Sequence, residues 1–161
     1  MVQHGKEMND IEIVTAAAPP RYEELLDLIN SLWPPEFGRK TDAEKIAEMT
    51  SSYDEKMDTV KYLVKNGRII GMYRYSLWPR HYRDTKTAHT LDVVVLPQYQ
   101  KSGFGSLLLR DAIDDCRQKG MTLLLSRSFR SNQGSIRLHE SLGFTVYSET
   151  GDSIVWQYNL A

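Results

Sequence analysis

The chain has 161 residues, of which 41% are hydrophobic and 25% charged, a composition that fits one globular domain with a sizeable core. Its formal net charge of −1 argues against nucleic acid and against an anionic membrane as partners, because both usually select a basic excess. No segment reaches the roughly 18 continuous apolar residues of a membrane span. A single cysteine, Cys116, excludes an internal disulfide framework. We expect a cytoplasmic protein whose residues 1–10 form a short disordered lead-in without a targeting pattern.

Hydrophobic periodicity, prolines and glycines divide the rest of the chain into strands and helices. In chain order we predict a strand over residues 11–16, a helix after Pro19-Pro20, a helix over 42–53, two strands around Asn66-Gly67, a strand over 88–96, a helix over 106–119, a strand over 121–128, a helix over 132–142 and a closing hairpin over 144–160. Thr41 is the candidate N-cap of the second helix. This order predicts an α/β (α+β) fold, a mixed sheet with helices on its faces, in one domain over residues 11–161.

The stretch VVVLPQYQKSGFGSLLL, residues 93–109, changes from an apolar strand to a glycine-bearing turn and then to a helix. A helix that begins after such a turn exposes backbone N–H groups and the positive end of its dipole, and both attract anions. Glycine is needed where the backbone approaches a phosphate closely or takes positive φ, and Gly103 and Gly105 are spaced for that. A plain strand-to-helix turn is the alternative at this point.

Two common phosphate-binding motifs do not fit this turn. A Walker loop needs a lysine after its last glycine, whereas Gly105 is followed directly by Ser106. A dinucleotide fingerprint needs a third glycine or alanine where Leu108 stands, and an acidic residue at the end of the next strand, where the only charged residue here is Arg127. The turn therefore predicts neither nucleoside triphosphate hydrolysis nor dinucleotide binding.

Two motifs taken together resemble the GCN5-related N-acetyltransferase (GNAT) superfamily. The pattern V-x-P-x-x-Q-x-x-G-x-G over residues 95–105 is similar to the signature with which that superfamily cradles the pyrophosphate of acetyl-CoA. The pattern N-x-x-S-x-x-x-H-x-x-x-G-F over residues 132–144 is similar to its second element. That element usually carries alanine and tyrosine where this chain has Ser135 and His139. The order of the predicted elements also matches the family fold.

The resemblance implies a GNAT fold, a mostly antiparallel sheet of six to seven strands that is splayed at strands 4 and 5 and flanked by about four helices. It implies acetyl transfer from acetyl-CoA to a primary amine by direct attack in a ternary complex, without a metal. The residues that would contact acetyl-CoA are, by motif position, Val93, Val94 and Val95 along the pantetheine arm, Gln100, Lys101, Ser102, Gly103, Phe104, Gly105 and Ser106 around the diphosphate, and Asn132 and Ser135 on the following helix.

The reaction needs a base for the amine, a donor for the oxyanion and an acid for the CoA thiolate. In the family the acid is often the tyrosine that His139 replaces; the imidazole can donate the proton, or only pack against CoA while water supplies it. Asp92 and His89 are the candidate bases on the strand before the turn, and Glu36 is a third candidate on a loop. Each of these can instead be a surface or strand-edge residue.

The acceptor amine is not defined by either motif. Two loops with Trp-Pro sequences are candidate substrate walls, because aromatic rings and a carboxylate suit a cationic amine. The candidate substrate-binding residues are Trp33, Glu36, Phe37 and Trp78. The alternative is that the tryptophans anchor proline-rich loops to the domain. A small molecule and a peptide are both open as acceptors.

A second class of function remains open, because the family tyrosine is missing: a GNAT-fold module that binds acyl-CoA without turnover, as a sensor or regulatory partner. Cys116 fits the inward face of its helix, and His4 and His81 have no metal-ligand spacing, so we expect no metal site. The terminal strands offer edges through which a homodimer can form.

Overall fold

The computed structural model describes residues 10–32, 40–77 and 86–161. These residues form one seven-stranded sheet, four α-helices and two short 3-10 turns. The strands are β1 (Ile11–Thr15), β2 (Asp58–Lys65), β3 (Arg68–Leu77), β4 (Thr87–Val95), β5 (Leu123–Phe129), β6 (Thr145–Glu149) and β7 (Ser153–Asn159). The helices are α1 (Leu26–Leu32), α2 (Asp42–Ser52), α3 (Phe104–Gln118) and α4 (Gln133–Ser141).

The strand order across the sheet is β1-β2-β3-β4-β5-β7-β6. Every neighbouring pair is antiparallel except β4 and β5, which are parallel. The predicted fold class, a mixed and mostly antiparallel sheet of six to seven strands with helices on its faces, is confirmed. Among the described residues, every helix is too short or too polar to span a bilayer. Residues 1–9 of the predicted lead-in lie outside the described residues.

Local sequence signals account for most element boundaries. The turn between β2 and β3 has positive φ at both Asn66 (50°) and Gly67 (78°), as the predicted type of hairpin requires. The Thr41 side chain accepts a hydrogen bond from Glu44 N at 3.1 Å and caps α2. Gly120 follows the end of α3 with φ 80°, the left-handed conformation in which glycine ends a helix at low cost.

Two boundaries differ from the sequence prediction. The helix predicted after Pro19-Pro20 is broken, because Leu25 N bonds to Tyr22 O at 3.0 Å and closes a 3-10 turn before α1 begins. Helix α3 begins at Phe104, two residues earlier than predicted. Gly103 occupies its N-cap position with φ 86°, so the glycine turn leads directly into the helix without a linking segment.

The helices cover opposite faces of the sheet. Tyr73 on β3 reaches Asp111 on α3 at 2.7 Å, whereas its neighbour Arg74 reaches Ser52 at the end of α2 at 3.1 Å. Successive strand residues point to opposite faces, so α2 and α3 lie on different sides. Both layers are apolar where they meet the sheet; the buried residues include Leu28, Ile29 and Met49 on one side and Leu108, Leu109, Ala112 and Cys116 on the other.

A cluster of ionic and hydroxyl groups, which we call the α3 clamp, attaches α3 to β2 and β3. Its members are Lys61, Tyr73, Tyr75, Asp111, Asp115 and Lys119. Lys61 Nζ lies 3.0 Å from Asp115 Oδ1 and 3.4 Å from Asp111 Oδ2. Tyr75 donates a hydrogen bond to Asp115. Burial opposes ionisation of Asp115, but the bonds from Tyr75 and Lys61 outweigh it and lower the pKa of the carboxyl.

Candidate active site

A cavity of about 510 Å³ lies where β4 and β5 separate. The two strands pair at only three positions, between Thr87 and Leu123, Ala88 and Leu124, and His89 and Leu125. Beyond these pairs β4 continues to Val95 and β5 to Phe129, so the remaining lengths of both strands diverge. The opening is therefore a gap within the sheet, closed at one end by the three strand pairs.

Most of the residues predicted to bind acetyl-CoA or to act in catalysis line this one cavity. They are Asp92, Val93, Val94, Val95, Gln100, Lys101, Gly103, Gly105, Ser106, Asn132, Ser135 and His139. Lining residues that the sequence did not single out are Thr90, Ser126, Arg127, Gly134, Arg137, Leu138 and Ser141. The substrate candidates Trp33, Glu36, Phe37 and Trp78 lie outside the described residues.

The glycine turn gives the cavity an exposed helix start. Lys101 and Gly103 both have positive φ, 64° and 86°, and within the described chain no side chain caps α3. The first N–H groups of α3 are thus available to an anion. Gly105 serves close packing, because a Cβ there would come within 3.3 Å of Leu138 Cδ2 on α4. Gln100 Nε2 donates to Val95 O at 2.9 Å and ties the turn to the end of β4.

Three predicted site residues do not reach the cavity wall. Phe104 packs edge-on against Tyr99, with ring centroids 6.5 Å apart, and Ser102 is exposed on the turn. His89 forms the last pair with β5, just before the strands diverge. Burial, with a smaller contribution from the charge of Arg127, lowers the pKa of His89 to about 4, so the ring is neutral near pH 7.

A bulge in β4 separates Thr90 from Asp92. Asp92 pairs with Arg74 on β3, and Thr90 pairs with the next residue, Tyr75, which leaves position 91 as the extra residue. Cross-strand partners share a face, so Thr90 and Asp92 lie toward opposite faces although they are two residues apart. The bulge thereby gives the cavity one polar residue toward α2 and another toward α3.

Asp92 is a partly buried carboxylate in an ion pair, with 16% of its side chain exposed. Its Oδ2 lies 3.0 Å from Arg74 Nε, at an angle that falls short of a hydrogen bond. Burial raises the pKa of Asp92, and the charge of Arg74 opposes that rise without cancelling it. Asp92 is therefore a better proton acceptor than an exposed aspartate would be, and it lies at the cavity wall.

His139 is fixed on both ring nitrogens. Its Nδ1 lies 2.7 Å from the carbonyl oxygen of Ser135, which can only accept, so Nδ1 carries the hydrogen of the neutral ring. Its Nε2 is then an acceptor, and the Ser126 hydroxyl, 2.7 Å away, donates to it. Burial lowers the pKa of His139, although the bond to the Ser135 carbonyl acts in the opposite direction. The ring is neutral near pH 7.

The position of the His139 ring is also fixed by packing. The ring stacks on Trp156 at 5.5 Å between centroids and meets Phe144 edge-on at 5.0 Å. Trp156 Nε1 donates to Ser128 Oγ at 3.0 Å, and Ser128 Oγ lies 2.7 Å from Ser135 Oγ. We call the hydroxyls of Thr90 and Ser126 together with His139 the splay network. All three groups are buried and uncharged, and all three line the cavity.

Chemically, the cavity combines an anion-binding helix start, an apolar strand, a carboxylate with a raised pKa and a neutral imidazole. Lys101, Arg127 and Arg137 add three positive charges to the wall, against the one negative charge of Asp92. A long ligand with a phosphate group at one end and an uncharged reactive group at the other fits this distribution. Among the described residues no group of His, Cys, Asp and Glu side chains is arranged to hold a metal ion.

Comparison with known proteins assigns the chain to a family. The model of the Acetyltransferase (GNAT) family matches residues 22–144. The chain is 34% identical over 85 residues to the L-methionine sulfoximine/L-methionine sulfone acetyltransferase of Salmonella typhimurium, covering 53% of this chain and 49% of that protein. It is 32% identical over 85 residues, with coverages of 53% and 49%, to the L-amino acid N-acyltransferase MnaT of Escherichia coli. The chain spans about half the length of these curated relatives.

A solved structure extends the similarity to nearly the whole chain. A GNAT family acetyltransferase from Elizabethkingia anophelis, with acetyl-CoA bound, superposes with a TM-score of 0.70 over 94% of this chain and 99% of that one. The sequence identity is 22%, so this similarity concerns the fold.

Proposed function

The chain belongs to the Acetyltransferase (GNAT) family, as its two motifs led us to expect, and on that premise we propose that it transfers an acetyl group from acetyl-CoA to a primary amine by direct attack in a ternary complex. The observation that supports this most is the meeting of both motifs at one cavity, in the gap between β4 and β5. One motif supplies the exposed helix start, and the other supplies the imidazole.

The cavity residues fit acetyl-CoA by charge and by shape. The uncapped start of α3 and Lys101 would hold the diphosphate, and no acidic residue of the turn would repel it. The backbone of β4 over residues 93–95 lies along the gap and would bond the pantetheine arm. When bound, acetyl-CoA supplies an acyl group activated as a thioester. The protein residues then position the amine, accept its protons and exclude water.

Asp92 is the residue we assign as the base for the protonated acceptor. An alkylamine near pKa ~10 reaches the site mostly as an ammonium ion and must lose a proton before it attacks. Asp92 lies at the cavity wall with a raised pKa, and Arg74 holds its carboxylate in position. A backbone N–H of the diverging strand would stabilise the oxyanion.

For the acceptor we propose the α-amino group of a small amino acid or a related compound. Both curated relatives are named for amino acids or their analogues, and a small acceptor is compatible with a single cavity of this volume. Trp33, Glu36, Phe37 and Trp78 stay predicted contacts of the acceptor. The cytoplasmic location and the homodimer likewise stay predictions.

The test is a thiol-release assay with acetyl-CoA and a panel of amines: free L-amino acids, a polyamine and a peptide with a free N-terminus. We expect CoA release above the rate without amine, largest for an amino acid, and a lower kcat for Asp92→Asn. Asp111→Asn is the matched control, because Asp111 belongs to the α3 clamp and lies outside the cavity wall. A protein that binds CoA but acetylates no member of the panel would instead be the acyl-CoA-binding module.

A further inference from the structure

Three hydrogen bonds of the splay network run in one direction. The carbonyl of Ser135 requires a hydrogen on His139 Nδ1, so His139 Nε2 accepts from the Ser126 hydroxyl. The oxygen of Ser126 in turn accepts from the Thr90 hydroxyl. The chain of donors therefore leads from Thr90 through Ser126 to the basic nitrogen of His139, a direction fixed by one carbonyl group.

This chain connects the open cavity with a buried imidazole. Thr90, Ser126 and His139 all line the cavity, yet each is at most 3% exposed. Bulk water therefore has little access to Nε2, and in the described structure Nε2 is hydrogen-bonded to Ser126, which is bonded in turn to Thr90. Hydroxyl groups both donate and accept, so such a chain can pass a proton without moving a heavy atom.

We propose that Thr90 and Ser126 are a proton relay that carries the second proton of the acceptor amine to His139 and returns it to the departing CoA thiolate. The inference rests on the proposed acetyltransferase function. It gives roles to Thr90 and Ser126, which neither motif includes. In this proposal His139 holds a proton between the attack of the amine and the departure of the thiolate. The first proton of the ammonium ion goes to Asp92 and then to solvent.

The proton balance is complete. Attack forms the C–N bond and leaves a positively charged nitrogen, whose proton passes to Thr90 Oγ as the Thr90 hydrogen moves to Ser126 and the Ser126 hydrogen moves to His139 Nε2. When the C–S bond breaks, the Ser126 hydroxyl gives its hydrogen to sulfur, and His139 replaces that hydrogen from Nε2. The imidazole ends neutral, as it began. The net products are the amide, the thiol and one proton released through Asp92.

Neutral surroundings suit a group that must gain and lose a proton in each turnover. The ring of His139 is in contact with Ser126, Ser128, Ser135, Phe144 and Trp156. The charged groups that share the cavity wall are Asp92, Lys101, Arg127 and Arg137, and within the described residues none is in contact with the ring. A nearby fixed charge would hold the imidazole in one protonation state.

Ser128 provides a matched control for Ser126. Both are buried serines on β5, two residues apart, and both are in contact with His139. Ser128, however, lies on the Nδ1 side at 3.3 Å, where the hydrogen is already used by the Ser135 carbonyl. A relay needs the Ser126 hydroxyl and not that of Ser128, whereas a packing role would make the two substitutions similar.

The experiment compares Ser126→Ala, Ser126→Thr and Ser128→Ala in the full chain. We expect Ser126→Ala to lower kcat by about 100-fold or more, the usual range for lost acid–base catalysis, with unchanged CoA affinity. Ser126→Thr keeps the hydroxyl and should retain most of the activity. In the wild type we expect kcat to rise with pH as His139 loses its proton, because only the neutral ring can accept one. This rise should persist in Ser128→Ala and disappear in Ser126→Ala.

A second measurement does not depend on turnover. Nitrogen NMR spectra of histidine-labelled protein, assigned with a His139→Gln variant, should show the hydrogen of neutral His139 on Nδ1. A hydrogen on Nε2 would overturn the relay. The relay would also be overturned if Ser126→Ala had the same kcat as the wild type, or if Ser128→Ala lowered kcat as much as Ser126→Ala does. An acetyl group found on Ser126 by mass spectrometry would overturn it as well. Wild-type protein without turnover on any amine contradicts the proposed function itself.

Discussion

The α3 clamp and the splay network are two polar clusters on the same sheet, and they differ in charge. The clamp contains two aspartates and two lysines paired at 3.0 to 3.4 Å, and it joins a helix to two strands. The splay network consists of hydroxyls and one neutral imidazole beside a cavity. A nearby charge of opposite sign keeps an ionised group in one protonation state, which suits a cluster that stabilises the fold. Neutral hydroxyl and imidazole groups that are hydrogen-bonded to one another can pass a proton along. The comparison separates a cluster that we expect to act in stability from the cluster for which we propose a role in chemistry.

The strongest test of this difference is His139→Gln. We expect kcat to fall by roughly 10²- to 10⁴-fold, because the variant removes the only ring in the network that can store a proton. CoA affinity should change little, since the contacts proposed for the diphosphate are Lys101 and the start of α3. Rates are measured by thiol release under saturating acetyl-CoA, and affinity by calorimetry. If His139→Gln lost as much CoA affinity as kcat, the result would indicate that His139 packs against CoA and does not transfer a proton.

The next test separates the regions by pH. Burial lowers the pKa of both His89, to about 4, and His139, while histidines of an unfolded chain titrate near 6.5. The folded state binds these protons less readily, so the contribution of the two histidines to the unfolding free energy is complete above pH 6.5. It declines as the pH falls toward 4, by at most roughly 3 kcal/mol for His89. The lowered pKa of Asp115 affects stability only below about 3.8.

Urea unfolding between pH 7.5 and 3 checks both windows. We expect His89→Gln and His139→Gln to reduce the decline between pH 6.5 and 4, and Asp115→Asn to reduce only the decline at lower pH. Identical pH curves for the histidine variants and the wild type would contradict the buried, neutral histidines.

A smaller effect is expected from Asp115→Asn at neutral pH. The variant leaves Lys61 without its closest charge partner, and a loss of about 2 kcal/mol follows, less than for a fully buried pair because the Asp115 side chain is 17% exposed. Activity of the folded variant should stay within about twofold. Asp114→Asn is the control, because Asp114 is 67% exposed and pairs only at the surface, with an expected cost below ~0.5 kcal/mol. Equal losses for both variants would argue against the clamp.

The smallest predicted effect is that of salt. Lys119 is 40% exposed and lies 3.4 Å from Asp115 Oδ2, so 1 M salt should screen this pair and lower the unfolding free energy by less than about 1 kcal/mol. The uncharged splay network should not respond. Chemical unfolding at low and high salt measures the difference, which should be absent in Asp115→Asn. A salt effect that survives in that variant would have to come from elsewhere in the chain.

The sequence predicted those features that depend on a few neighbouring residues. The positive φ at Asn66 and Gly67, the cap at Thr41 and the glycine turn before α3 each follow from local chemistry. Helix α3 begins two residues before the predicted start, because nothing in the sequence distinguishes a glycine within the turn from a glycine that caps the helix. The order of elements followed from the same local signals and gave the fold class.

The polar partners within the site could not be predicted, because they depend on contacts between distant segments. Ser126 stands as a polar residue in an apolar strand, and only the approach of α4 brings His139 to it. The pairing of Asp92 with Arg74 depends on a bulge whose position the sequence does not mark. Alternation along β4 would also have put Thr90 and Asp92 on the same face, where the bulge puts them on opposite faces.

The divergence of β4 and β5 leaves backbone amides without a strand partner in the middle of a sheet. Among the described residues, strand pairing between β1–β4 and β5–β7 is limited to three residue pairs of β4 and β5, all at one end of the gap. Amides of β4 beyond His89 that point away from β3 should therefore exchange their hydrogens with water quickly in the free protein, although they belong to a central strand. A ligand that lies along this edge would slow their exchange, acting in effect as a missing strand. The rate of exchange at the gap thus reports occupancy directly, without any need to know the acceptor.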